Sequence, residues 1–110
     1  MEHPLRRIKL YVDPKGWCPF DDWLDELSRK HRAAVQIRID RLETGNPGKG
    51  RSLGGGLMEM KIDVGPGIRV YYGLMGPIIV ILLCGGDKST QNKDIARAHF
   101  YLEDFKRRML

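Results

Sequence analysis

The sequence predicts an α+β domain: a small antiparallel sheet packed with an N-terminal helix hairpin and a C-terminal helix, in the order β-α-α-β-β-β-α. Three observations carry that prediction. Apolar residues recur at helical spacing through residues 20–45 and again through 91–109. Three apolar segments follow in close order between residues 57 and 83, parted by Gly65-Pro66-Gly67 and by Gly76. Turns that short between consecutive strands imply an antiparallel meander. The opening stretch, residues 6–12, alternates apolar and polar residues, as a half-buried strand does.

In that first strand, "RRIKLYV", Ile8, Leu10 and Val12 share one face, and Arg7, Lys9 and Tyr11 the other. Asp13-Pro14-Lys15-Gly16 then has turn chemistry. "FDDWLDELSRK" (20–30) is a helix with Phe20, Trp23, Leu24 and Leu27 on one side. Pro19 suits its first position, and Asp21 and Asp22 suit the positive end of its dipole. "HRAAVQIRIDRLETG" (31–45) is a second helix with a Val35, Ile39, Leu42 stripe flanked by Ala34 and Ile37. Gly45 can close it and Pro47 blocks its continuation. The short gap between the two helices implies an antiparallel hairpin.

Residues 45–56, "GNPGKGRSLGGG", form a glycine-rich loop. "LMEMKI" (57–62), "IRVYYGL" (68–74) and "PIIVILL" (77–83) are strands, and the last is apolar on both faces, as a central strand is. Ser89 or Thr90 is placed to cap a final helix whose apolar positions are Ile95, Ala98, Leu102, Phe105 and Met109. Lys106-Arg107-Arg108 suits its negative pole. No repeat, linker or low-complexity tail divides residues 1–110, so one domain is expected.

The net charge of +5 favours an anionic partner, although many small domains carry as much without one. Cys18 and Cys84 are too few and too distant for a disulfide framework, and they indicate a reducing, cytoplasmic setting. The N-terminus has no signal-peptide pattern, and the longest apolar run, Ile78–Cys84, is far too short to span a bilayer. His3, His31 and His99 with the two cysteines have no metal-ligand spacing, so neither a metal nor a cofactor is expected.

Gly45 and Gly50 have the spacing of a phosphate loop, but Arg51 stands where its lysine belongs. The loop also leaves a helix and enters a strand, the reverse of the order that motif needs. Its Lys49 and Arg51 fit contact with a phosphate backbone and fit a solvated loop equally well. The sheet face is more informative. Glu59 and Lys61 project from one side of their strand, Arg69 begins the next, and Lys88 follows Gly85-Gly86 and Asp87 at the end of the last. In a meander the three cations can converge at one rim, where fixed charge stabilises a reacting phosphoryl group. An exposed face with a Glu59–Lys61 surface ion pair is the even alternative. Asp87 can orient a cation or cap the turn. His99 suits a surface or half-buried structural role; Trp17, Phe20 and Trp23 suit packing. Tyr71 and Tyr72 face opposite ways, leaving one free to be exposed.

Taken together, "FDDWLDEL", "RLETGNPG", "MEMKIDVGPGIRVYY" and "LLCGGDKSTQNKDIARA" resemble the RelE/ParE superfamily of toxins from type II toxin–antitoxin modules. The similarity covers roughly residues 6–107 and is nearest to the HigB-like, phage-Gp49-like addiction-module killer proteins. It implies the RelE-like fold and a growth-arresting toxin neutralised by a cognate helix-turn-helix antitoxin, in a hetero-oligomer on operator DNA. It further implies a metal-independent endoribonuclease, an mRNA interferase acting on the ribosome. In such enzymes the 2′-hydroxyl attacks the adjacent phosphate and the 5′-oxygen leaves. The basic positions of such a site fall on Lys61, Arg69 and Lys88, with Arg69 as phosphate clamp and transition-state stabiliser. Glu59 or Asp94 would be the general base, and Lys49, Arg51, Gln91 and Lys93 would contact RNA. Two departures stand out. The start of the last helix, "QNKDIARAHFY", lacks the early tyrosine of several RelE-like nucleases, and Glu59 replaces a second lysine found in others. ParE members keep the fold but inhibit DNA gyrase by binding, which is the alternative. A degenerate member retained as a repressor component is a third.

Overall fold

A computed structural model describes residues 5–109; His3 lies outside them. The elements are β1 (Arg7–Leu10), α1 (Pro19–Glu26), α2 (Arg29–Glu43), β2 (Gly50–Gly54), β3 (Leu57–Ile62), β4 (Ile68–Met75), β5 (Ile79–Asp87), a 3₁₀ turn (Lys88–Thr90) and α3 (Gln91–Met109). The α+β class and the meander hold, but the sheet is mixed and five-stranded, in the order β1-β5-β4-β3-β2. β1 runs parallel to β5, and the other neighbours are antiparallel. β5 therefore lies between two strands, as its doubly apolar sequence indicates.

The extra strand, β2, comes from the glycine-rich stretch expected to be loop. Its composition disfavours a strand, and close approach to a neighbour forms it. Gly50 stands opposite Met60, so near that a Cβ on it would lie 2.1 Å from the Glu59 carbonyl oxygen. Only glycine fits there.

Helices cover both faces of the sheet. Phe20 of α1 and Val35, Ile39 and Leu42 of α2 pack with Met60, Ile62, Val70, Tyr72, Val80 and Leu82. On the other face Ala98 and Leu102 of α3 pack with Tyr11, Leu57, Tyr71, Ile81 and Leu83. This double cover corrects two expectations. Tyr71 and Tyr72 are both buried, although they point to opposite faces. Tyr11, placed on the polar side of the first strand, is buried on the α3 face, stacked on Tyr101 at 4.9 Å. Leu10 and Val12, placed on the apolar side, are 42% and 40% exposed, because β1 is an edge strand and ends at Leu10.

Element ends differ where a side chain offers a better cap. α1 stops at Glu26, because Ser28 caps α2 by accepting the His31 N–H at 3.2 Å. Neither Ser89 nor Thr90 caps the last helix. Asp87 accepts the Ser89 N–H at 2.8 Å, its own N–H donates to Thr90 Oγ1 at 3.3 Å, and the 3₁₀ turn so formed runs into α3. Ile37 and Met109, assigned to apolar stripes, are exposed at the surface.

Candidate functional site

The paired strands bring two rows of residues together on the α3 face. Arg51, Glu59, Tyr71 and Cys84 stand opposite one another from β2 to β5. In the next row Lys61 stands opposite Arg69, and Arg69 opposite Gly86. From these rows Arg51, Glu59, Lys61 and Arg69, with Lys49 and with Gln91 at the start of α3, line an open cleft of about 430 Å³. Four cations and one carboxylate thus face a common space. A positive field focused in a concave, partly desolvated site attracts anions strongly.

Glu59 organises the floor. Its carboxylate is 5% exposed and accepts from Arg51 Nε and Gln91 Nε2, each at 2.9 Å, one on each oxygen. Burial pushes its pKa up, but the donors Gln91 and Arg51, with the nearby Tyr71 hydroxyl, outweigh burial and hold it below the usual carboxylate value. The Tyr71 hydroxyl is buried with no hydrogen-bond partner of normal geometry, and burial followed by the Glu59 charge raises its pKa. The Glu59–Lys61 ion pair of the alternative reading does not form. Glu59 pairs with Arg51, while Lys61 faces Asp63 at 3.8 Å, and Asp63 also holds Lys49 at 3.0 Å. Asp63 was missed, yet its period-two spacing from Glu59 and Lys61 is legible in the sequence.

Arg69 is only 7% exposed. Its Nη1 donates to the Gly67 carbonyl at 2.6 Å, and its Nε is buried without an acceptor among the described residues. Lys88 is at the same rim: a Cβ on Gly67 would lie 2.9 Å from Arg69 Nη1 and 4.0 Å from Lys88 Cβ. Lys88 and Lys93 do not line the cleft itself. They sit on the adjoining surface around the 3₁₀ turn, which meets the cleft at Gln91.

Asp94 is not brought into the cleft. It is buried beneath Gly86, accepts from Thr90 Oγ1 at 2.5 Å, and lines a separate hollow with Trp17, Trp23 and Tyr101. Burial raises its pKa, and the Thr90 bond offsets this only in part. Gly85-Gly86 has a steric reason: a Cβ on Gly85 would lie 2.4 Å from the Trp23 ring, and one on Gly86 1.8 Å from Asp94 Oδ2. His99 is exposed, away from the cleft. Among the described residues no cluster of His, Cys, Asp or Glu could hold a metal, and no helix is long and apolar enough to cross a membrane.

Residues 22–106 match the model of the family described as "Phage derived protein Gp49-like (DUF891)". The chain belongs to this Gp49-like family. Membership places it, at a coarse level, among toxin-like proteins of addiction modules, and implies a cognate antitoxin as partner. An uncharacterized protein of Haemophilus influenzae is 45% identical to this Gp49-like chain over 94 residues, 84% of this chain and 95% of the relative. No solved structure matches.

Proposed function

We propose that this Gp49-like protein is the toxin of a type II toxin–antitoxin module and an endoribonuclease that cuts translated mRNA. The observation that carries the reading is the cross-strand placement of Lys61 beside Arg69 on a cleft wall, with Arg69 nearly desolvated. In the reaction the 2′-oxygen forms a bond to phosphorus and loses its proton. The bond from phosphorus to the 5′-oxygen breaks, and that oxygen gains a proton. The products are a 2′,3′-cyclic phosphate and a 5′-hydroxyl.

Charge builds on the non-bridging oxygens in the transition state. Arg69 and Lys61 supply fixed positive charge to them, and the burial of Arg69 strengthens its share of the interaction. Lys88, on the rim, neutralises the leaving side, and Lys49, Arg51 and Lys93 hold the flanking backbone. Glu59 has both oxygens occupied and a lowered pKa, which suits it to orienting Arg51 and Gln91 better than to removing a proton. Asp94, outside the cleft, is a poorer candidate for the base.

The test is mapping of mRNA 5′ ends after a brief pulse of expression, with wild type beside Arg69→Ala and Lys61→Ala. New cuts within translated regions, absent in both variants, support the reading. Growth arrest with intact mRNA and lost supercoiling overturns it in favour of gyrase inhibition.

A further inference from the structure

A second surface has the opposite sign of charge. On the face away from the cleft, at the opposite edge of the sheet, a groove runs between β1 and the helices α1 and α2. Its floor is apolar: Ile8, Leu10, Phe20, Leu24, Ile39 and Leu82. Its polar rim is Asp21, Asp40, Glu43 and Gln36, and among the described residues no cation lines it. On a chain with a net charge of +5, three carboxylates around an apolar floor are a local reversal.

The groove also opens beside an edge of β1 that is unpaired among the described residues. The Arg7 and Tyr11 N–H groups donate to Ile78 and Leu82 of the β5 side. Main-chain groups alternate sides along a strand, so Ile8 and Leu10 turn theirs outward. No hydrogen-bond partner for those two N–H groups is present among the described residues. Two residues before Ile8 the outward Arg6 N–H is taken by the Glu43 carbonyl at 2.8 Å, so the free edge starts where α2 ends. An unpaired edge beside an apolar groove is a template for strand addition.

We propose that the β1 edge and this groove form a docking site for an extended segment of a protein partner, with an apolar residue flanked on the same face by lysine or arginine. The segment pairs its backbone with Ile8 and Leu10. Its apolar side chain covers Leu10 and Leu24, and its cations, two residues to either side, meet Asp21, Asp40 and Glu43. The residues between face the side of the sheet that carries Arg7 and Lys9, and these are polar and uncharged or acidic. The site is independent of the reaction proposed above, because its occupant leaves the basic cleft open.

The probe is an acetylated, amidated seven-residue peptide with lysine, leucine and lysine at alternate positions between threonines. It is titrated into the isotopically labelled full chain and followed by amide resonances and hydrogen exchange. The expected result is shifts and slowed exchange at Ile8 and Leu10, with binding weakened about tenfold in the Asp40→Lys, Glu43→Lys double variant. A control with glutamate in place of both lysines is expected to leave those amides unmoved. No shift at β1 with the lysine peptide, or equal binding of the glutamate control, overturns the proposal. Concentration-dependent protection of the same amides without peptide overturns it too, and assigns the edge to a second copy of this chain.

Discussion

Lys61 and Arg69 stand directly opposite each other across the β3–β4 pair, two cations in a register where like charges repel. The arrangement costs stability unless an anion lies between or above them. Asp63 partly compensates Lys61 from 3.8 Å, and the Gly67 carbonyl takes one Arg69 nitrogen. Both side chains still line the cleft, where a phosphate bound as proposed above would supply the remaining compensation.

Arg69→Ala and Lys61→Ala are each expected to lower the rate of RNA cleavage by about 10²–10³, the usual effect of removing one transition-state donor. Because Arg69 is buried, Arg69→Lys serves as a second variant that keeps charge and most of the volume. Single-turnover cleavage beside thermal melts separates chemistry from folding. Wild-type cleavage by a folded Arg69→Ala protein would refute the site.

Glu59→Gln keeps the shape of the floor but removes its charge. The folded pKa of Glu59 is lowered, so its contribution to stability is present above the ordinary glutamate value and is lost as pH falls through the lowered folded value. Urea midpoints measured from pH 7 downward are expected to fall less steeply in Glu59→Gln than in wild type across that window.

Asp94 has the opposite sign. Its pKa is raised, chiefly by burial, so its ionised form is penalised once pH passes the ordinary aspartate value, and the penalty is complete above the raised folded value. Asp94→Asn, which still accepts from Thr90, is expected to raise the urea midpoint at pH 7, with the gain shrinking in acid. Gly86→Ala, with its methyl 1.8 Å from Asp94 Oδ2, is expected to destabilise by about 1–3 kcal/mol, read from the same unfolding curves.

Tyr11 joins the first strand to the last helix. Burial, then its 2.8 Å bond to Asp104, raises its hydroxyl pKa to about 12. Its raised value favours the neutral form, so stability is expected to fall as pH climbs from 10 towards 12. Tyr11→Phe is expected to cost about 1 kcal/mol at pH 7 and to flatten that alkaline loss, followed by circular dichroism.

Local pattern carried most of the element assignment. The Phe20–Leu27 and Val35–Leu42 stripes mark the first two helices, and the runs beginning at Leu57, Ile68 and Pro77 mark the meander, because 3.6-residue and two-residue periods are properties of the chain itself. The same parity put Glu59 and Lys61 on one face, and the turns singled out Arg69, which begins a strand, and Lys88, which follows one. Whatever depended on distant partners was not written there. Gly50–Gly54 becomes a strand only because β3 accepts it, and β1 is an edge because it pairs with a strand some seventy residues away. Tyr11 and Tyr71 are buried because α3 covers the second sheet face. Strand register set Arg51 beside Glu59, and the seating of α3 on the sheet brought Gln91 to Glu59 and Asp94 under Gly86 outside the cleft. The sequence by itself determined the periods, the turns and the supply of cations at the sheet rim; tertiary pairing decided which of those charges share a cleft, since burial and contact depend on neighbours that local periodicity does not specify.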